Sequence, residues 1–384
     1  MNEETHPQNN RPRPTEQRIE WLAVLRGLNI VLVVMFHVQL VDLSTGLNHP
    51  FCEWISSPFD PLRMPLFIFI SGGLLYLSRI RKGWNTQALY ADKTERILIP
   101  FLFFVVVYYA VKSVVGSLVK TPVNLSLDDF LLSFVYYVGR PTAPLWFLPT
   151  LMTLMIMYPV YCRLCRSWQA MTAALVAASL LFFVETDPLS SFNVFNVLNL
   201  HHYLIYFLAG IAFFRFRLWQ RLNSRRALCL TTLLYILLLA AEHRCNDVTG
   251  YSVLTDILFR LVAPLTGIAM GCSAAMLTAR RWPDLFASYR EYIYQIYLMS
   301  LPFQAFVELV LWRRLFYCEP LFPLFYVLNV AAGVWLPVCV TKMVERCNWR
   351  PLQMCFGVKK RVRQQTVEAS ATVLQKPSAP EPTT

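Results

Sequence analysis

The sequence predicts an all-α protein, a polytopic bundle of about ten transmembrane helices. Hydrophobic residues make up 56% of the 384 residues, and charged residues only 15%. Apolar runs close to 20 residues long recur from end to end, which is the length of helix that crosses a bilayer. The basic residues fall mainly in the short loops between these runs, as expected for a membrane protein.

Each predicted span is an apolar run bounded by polar or basic residues. The first one follows a polar, proline-rich segment and carries Arg26 and His37. The runs at 168–184 and 227–241 are the shortest, and the run at 130–138 is too short to span, so we expect it at the interface or re-entrant. In chain order, the predicted spans are residues 22–43, 59–78, 97–119, 144–162, 168–184, 197–216, 227–241, 257–277, 292–312 and 321–344.

The basic residues also predict how the spans are oriented. With about ten spans, the clusters before the first span and after every second one share one side, and the opposite loops carry few cations. Arg313 and Arg314 are the main exception. An even number of spans with both termini in the cytoplasm follows. The clusters are Arg11, Arg13 and Arg18; Arg79, Arg81, Lys82, Lys93 and Arg96; Arg163 and Arg166; Arg215, Arg217, Arg221, Arg225 and Arg226; and Arg280, Arg281 and Arg290.

This orientation divides the chain into a cytoplasmic N-terminal segment (1–20), a transmembrane domain (21–345) and a basic cytoplasmic tail (346–384). The chain after Lys359 is polar and has no apolar period, which predicts disorder. The formal net charge of +12 would suit nucleic acid, but its distribution between spans indicates a lipid bilayer and no nucleic acid partner. The oligomeric state is left open.

Arg26 and His37 are the strongly polar side chains of the first span before Asp42. A charge near the bilayer centre costs several kcal/mol, so such residues are candidates for function. Their separation (37 − 26 = 11 residues) at ~100° per residue places both side chains within about 20° of one helix face, roughly 16 Å apart along the axis. The alternative is a snorkelling arginine and a core histidine that bonds a neighbouring helix.

The predicted topology places Arg26 toward the cytoplasmic third of the helix and His37 toward the outer third. The planar fork of a guanidinium suits phosphate, and a neutral imidazole suits removal of a proton from a sugar hydroxyl. This pattern favours a long activated donor from the cytosol and an acceptor from outside. The other interpretation is a transporter or flippase that uses both residues as an ion relay, although no convincing internal repeat supports it.

Short motifs follow one another along the chain, and together they resemble the acyltransferase-3 family. These are integral membrane enzymes that acylate extracytoplasmic glycans and other hydroxylated acceptors. Each motif is weak alone, but their order and spacing are specific, and the resemblance runs from about residue 18 to 344. The motifs are Arg26 and His37 with ten residues between them; LRMPLFIFISGGLLY from Leu62, with Ser71 and Gly72; KTERILIP, with Lys93, Arg96 and Pro100; PLWFLPTL from Pro144; and HYLIYFLAGIAFF from His202.

The resemblance implies an O-acyltransferase of the bacterial inner membrane, with acyl-CoA as donor substrate and no bound cofactor. It would move an acyl group, most simply acetyl from acetyl-CoA, from the cytoplasmic side to a hydroxyl of an extracytoplasmic glycan. His37 would be a base or a covalent acyl carrier, and Arg26 would bind the donor. Succinyl transfer to periplasmic glucans is the alternative within this class, and the acceptor glycan stays open.

Further candidates flank the membrane on both sides. Lys93 and Arg96 are predicted to bind donor phosphates, although the positive-inside rule alone explains basic residues there. Arg63 and Trp146 are predicted to contact the acceptor; a snorkelling arginine and an interfacial tryptophan are the alternatives.

In two places the expected site chemistry is limited. Many family members end a late span with a histidine where this chain reads IYLMSLP, so Ser300 stands at that position and a second catalytic histidine is in doubt. His201 and His202 have no Cys or carboxylate partner at ligand spacing, so no metal site is predicted.

Overall fold

The computed structural model of the protein is helical, with no strand among the residues it describes. These are residues 14–38, 40–41, 48–115, 126–137, 140–184, 186, 192–246, 255 and 257–358. The predicted all-α class is confirmed. The α-helices are α1 (Pro14–Phe36), α2 (Pro50–Ser56), α3 (Asp60–Leu75), α4 (Thr86–Lys93), α5 (Ile99–Val115), α6 (Leu127–Leu132), α7 (Phe147–Ile156), α8 (Tyr158–Leu164), α9 (Trp168–Leu181), α10 (Leu200–Arg215), α11 (Trp219–Leu222), α12 (Arg225–Asn246), α13 (Ala263–Arg281), α14 (Ile293–Phe306), α15 (Phe322–Arg346) and α16 (Arg350–Cys355).

Within the described residues, 7 helical stretches are long and apolar enough to cross a membrane, and there are 8 if the pair α7–α8, bent by 54°, is one span. The predicted spans at 22–43 and 168–184 correspond to α1 and α9, which are not among these stretches. With 14 residues, α9 is about 21 Å long, shorter than the ~30 Å hydrocarbon core. The fold is that of a multi-pass membrane protein, while the count of about ten spans and the cytoplasmic termini stay predictions.

The first helix is at the centre of the bundle, where α1 packs against α3, α13, α14 and α15. Leu25, Ile30 and Val34 on it have no exposed surface. At the periphery, α12 packs on α13 but leaves Leu230 and Leu233 exposed, as expected of a lipid-facing helix. Arg26 therefore lies on, and His37 directly after, a helix at the centre of the bundle.

The predicted first span is wrong at its end, because α1 stops at Phe36 rather than continuing to residue 43. The backbone amide of His37 donates a hydrogen bond to the carbonyl oxygen of Val34, three residues earlier. Its imidazole donates to the carbonyl oxygen of Val33, four residues earlier. A side chain that occupies the i−4 carbonyl competes with the helical backbone bond, so the helix ends here. Residues 39, 42 and 43 of the predicted span lie outside the described residues.

The predicted disordered tail, 346–384, begins with ordered structure. Arg350 forms an ion pair with Glu95, and Phe356 packs against Phe103 and Phe104 of α5. These long-range contacts stabilise α16, which is too short to be helical on its own. The remainder of the tail from 359, and residues 1–13 and 116–119 of the other predicted segments, lie outside the described residues.

Helices α3 and α10 touch backbone to backbone at two glycines. A Cβ added to Gly72 would lie 2.2 Å from the carbonyl oxygen of Phe207, and one added to Gly210 would lie 2.0 Å from that of Phe69. No side chain fits these positions, and small residues of this kind allow close helix approach in membranes. Pro65 also lies within α3, about two turns before Gly72, and is buried.

We expect Gly72→Ala or Gly210→Ala to destabilise the protein, because the new methyl group meets a rigid carbonyl rather than a flexible side chain. Overpacking costs ~1–3 kcal/mol, more than the ~0.5–1 kcal/mol gained from alanine's better helix propensity. The measurement is the thermal unfolding midpoint in detergent. Gly271→Ala is the matched control, since its Cβ would meet Leu25 at an ordinary 3.5 Å. An unchanged midpoint for Gly210→Ala would mean that the two helices can separate to admit a methyl group at no cost.

Candidate functional site

The imidazole of His37 is oriented by one hydrogen bond to its own helix. Its Nδ1 lies 2.6 Å from the carbonyl oxygen of Val33. Because a carbonyl oxygen only accepts, Nδ1 carries the proton and donates it. In the neutral ring, Nε2 then holds an unshared lone pair, which is what a general base or a nucleophile needs.

Arg63 lies beside this imidazole and is held there by two contacts. Its guanidinium carbon is 3.2 Å from the centre of the Phe36 ring, and its Nη2 is 2.8 Å from the Oδ1 of Asp60. The Arg63 charge reaches His37 electrostatically. Arg63, predicted to contact the acceptor, therefore shares a site with His37.

Trp146 joins the same region through Tyr203. The two rings have centroids 5.5 Å apart, and the Tyr203 hydroxyl interacts electrostatically with Arg63 and Asp60. We call His37, Asp60, Arg63, Trp146 and Tyr203 the His37 cluster. The backbone of Trp146 is fixed by Asn196, whose Nδ2 donates to its carbonyl oxygen at 3.1 Å.

Arg26 faces a separate internal space, the Arg26 cavity, of about 160 Å³. Among the described residues, Arg26 makes no hydrogen bond or ion pair within 4 Å. Asn29, one turn further along α1, also lines the cavity, and both its amide atoms are buried without a partner in the described chain. Ser71 from the Ser-Gly motif completes the polar part of the wall, whose remainder is aromatic and aliphatic.

The predicted donor-binding residues Lys93 and Arg96 lie elsewhere, in what we call the Asp92 cluster. Three cations surround one carboxylate, with Arg79 Nη2 at 3.0 Å, Lys93 Nζ at 3.6 Å and Arg96 Nε at 2.9 Å from Asp92. The guanidinium of Arg79 also stacks on Trp84 at 3.4 Å. Lys93 and Arg96 are thus engaged by protein groups, and their donor-binding role stays a prediction.

Three residues near these sites were not predicted. Asp60 anchors Arg63 at an i, i+3 spacing that the sequence displays. Gln304, 2% exposed, donates its Nε2 to the carbonyl of Val34 at 2.9 Å, and Asn329 donates to the carbonyl of Gln304 at 3.2 Å. Both amides lie inside apolar spans, a signal that could have identified them.

The family comparison agrees with the motifs. A family model described as an acyltransferase domain, Acyl_transf_3, matches residues 19–342. The chain belongs to the acyltransferase-3 family. No curated protein and no solved structure matches it. Membership makes the protein a membrane acyltransferase, and the residues described above are its candidate site residues.

The family histidine replaced by Ser300 would lie on α14. Ser300 is buried, at 4% exposure, one turn before Gln304. Gln304 therefore supplies the polar contact that α14 makes with the end of α1. Because the bonded carbonyl belongs to Val34, the residue next to Val33, Gln304 holds the backbone that orients His37.

Replacing Gln304 with methionine keeps its shape and removes this bond, so we expect slower acyl transfer from a less well-placed His37. A small misplacement of a catalytic group costs about tenfold or more in kcat, with the donor KM little changed. Gln295→Met is the matched control: it lies on the same helix, is buried, and donates to the carbonyl of Phe356. Equal kcat values for the two variants would remove the positioning role of Gln304.

Proposed function

We propose that this protein is an O-acyltransferase that takes an acyl group, most simply acetyl, from a cytoplasmic acyl-CoA and places it on a hydroxyl of an extracytoplasmic glycan. The bacterial inner membrane is its proposed location. The observation that carries the proposal is the bond from His37 Nδ1 to Val33, which leaves Nε2 as the basic atom of the site. Family membership supports the reaction class.

His37 Nε2 can act in either of two ways. As a general base it removes the proton from the acceptor hydroxyl while that oxygen attacks the thioester carbonyl; the carbon–sulfur bond breaks and the CoA thiolate leaves with a proton. As a nucleophile it first accepts the acyl group, releases CoA and then passes the group to the hydroxyl. Both routes yield the glycan ester and free CoA.

Arg26 is the proposed donor contact. Its guanidinium lines a cavity and forms no ion pair within 4 Å among the described residues, although the charge of Glu291 reaches it, so its N–H donors are open to a ligand. Planar guanidinium groups bind phosphate and carbonyl oxygens through paired donors. Lys93 and Arg96 remain secondary donor candidates, because Asp92 already holds them.

Arg63 and Trp146 are the proposed acceptor contacts. Asp60 and Phe36 keep the Arg63 guanidinium beside His37, where it can donate to sugar oxygens. The Trp146 ring, paired with Tyr203, offers the flat apolar surface on which a sugar ring stacks. Acceptor and base would then meet in the His37 cluster.

We expect His37→Ala to abolish acyl transfer while the protein still inserts into the membrane, because the basic atom is lost. The assay is purified protein in detergent with labelled acetyl-CoA and candidate glycans, with His243→Ala, an exposed histidine on α12, as the control. Wild-type rates for His37→Ala would end the proposal. Gradient-driven uptake in proteoliposomes without any acyl transfer would instead favour a transporter.

Arg26→Lys separates donor binding from snorkelling. Lysine carries its charge to an interface as well as arginine does, but it cannot form the paired contact, so we expect the donor KM to rise at least about tenfold, or ~1.4 kcal/mol. Expression and topology should not change. The control is Arg140→Lys, an arginine that forms an ion pair with Asp129 and does not line the cavity. A donor KM that matches the wild type would return Arg26 to a structural role.

A further inference from the structure

A second pocket, of about 400 Å³, opens at the end of the bundle where α1 begins. We call it the basic pocket. Its apolar lining includes Trp21 on α1, Leu74 near the end of α3, Tyr76 directly after it, Phe214 on α10 and Trp219 at the start of α11. Its volume is within the range of ~300–1,000 Å³ found for sites that bind small molecules.

None of the residues that line this pocket is acidic, and four are cations: Arg81, Lys82, Arg215 and Arg217. In the described chain, Arg81, Lys82 and Arg217 form no ion pair, and Arg215 donates its Nε to the carbonyl of Cys165. The Asp92 cluster differs, because a carboxylate sits at its centre. The positive-inside rule explains basic residues at this end, but not their convergence on one concave, aromatic-lined space.

The pocket also holds a buried donor without an acceptor. The indole of Trp21 stacks on Phe214, with ring centroids 5.6 Å apart and planes at 8°. Its Nε1 is buried and has no hydrogen-bond partner among the described residues. A buried indole N–H normally finds an acceptor, so the pocket suits an oxygen-rich anion.

Leu74 connects the two internal spaces. It lines the basic pocket and also the Arg26 cavity, so the two are neighbours at this residue of α3. A ligand with a phosphorylated head and a long thin arm could place the head among the cations and pass the arm beside Leu74.

We propose that the basic pocket binds the phosphorylated nucleoside end of the acyl donor, while the arm that carries the thioester passes through the Arg26 cavity toward His37. This rests on the proposed function, since it takes acyl-CoA as the donor. The cations bind the phosphates through charge-assisted hydrogen bonds, Trp21 Nε1 supplies a further donor, and the aromatic walls contact the base. An anionic phospholipid headgroup has the same phosphate chemistry and is the competing source.

The test measures binding to the full-length protein in detergent, which does not depend on turnover. We expect the Kd for coenzyme A to rise at least about tenfold in the double variant Arg81→Gln, Arg217→Gln, because two charge-assisted contacts are lost. The matched control, Arg225→Gln with Arg226→Gln, removes the same charge from exposed positions at the start of α12. Adenosine 3′,5′-bisphosphate, which has no arm, should compete with coenzyme A for the wild-type protein.

Trp21→Phe refines the test, since phenylalanine keeps the stacked ring and removes only the N–H. We expect a several-fold rise in the coenzyme A Kd, in line with the loss of one hydrogen bond to a charged group.

Two results would overturn the assignment. One is an unchanged coenzyme A Kd in the Arg81, Arg217 variant. The other would come from the same variant in nanodiscs that contain phosphatidylglycerol. If it no longer binds this lipid but still binds coenzyme A, the pocket is a lipid site. Failure of the proposed function looks different: the wild-type protein would then bind no coenzyme A, or would bind it and never transfer an acyl group. His37→Ala should bind coenzyme A like the wild type, which separates the pocket from the chemistry.

Discussion

The backbone contact between α3 and α10 is the constraint on which the rest of the site depends. Gly72 and Gly210 bring the two helices so close that carbonyl oxygens take the space of side chains. Beyond this contact, the same helices form walls of the basic pocket, and Ser71 and Leu74 face the Arg26 cavity. The spacing of the α3 and α10 walls of the basic pocket is therefore held by a van der Waals contact that cannot be stretched without opening the core.

Hydropathy was enough to predict the fold class, because lipid offers the backbone no partners and forces helices. The same reasoning marked Arg26 and His37, since a charge in an apolar run needs a reason. The end of α1 could not be predicted, because it depends on whether the imidazole or the backbone amide of His37 donates a hydrogen bond to the carbonyl oxygen of Val33. The order of α16 was also missed, since it comes from Glu95 and α5, which are far away in sequence.

Arg26 and the cations of the Asp92 cluster differ in how far protein carboxylates neutralise them, and the sequence alone gave no reason to distinguish them. Asp92 lies beside Arg79, Lys93 and Arg96, so those cations are partly neutralised by the protein. Arg26 has no such partner within 4 Å in the described chain. The charge of Glu291 reaches Arg26 without forming a hydrogen bond, so the desolvated guanidinium is only partly compensated. If Arg26 is the donor contact, as proposed, an anionic ligand would complete this charge balance.

The bond from His37 to Val33 also decides what the base moves with. Catalytic histidines are commonly oriented by a carboxylate on another part of the chain, so a shift between elements disturbs their aim. Here the orienting carbonyl lies four residues earlier, in the last turn of α1, and His37 directly follows the end of that helix, so the imidazole is tied to α1. Tilting or sliding of α1 against its neighbours would carry the lone pair with it unchanged. If His37 is the base, as proposed, the end of α1 and the Gln304 contact would together set the direction of its lone pair, and the packing of α1 would set its distance to the substrate.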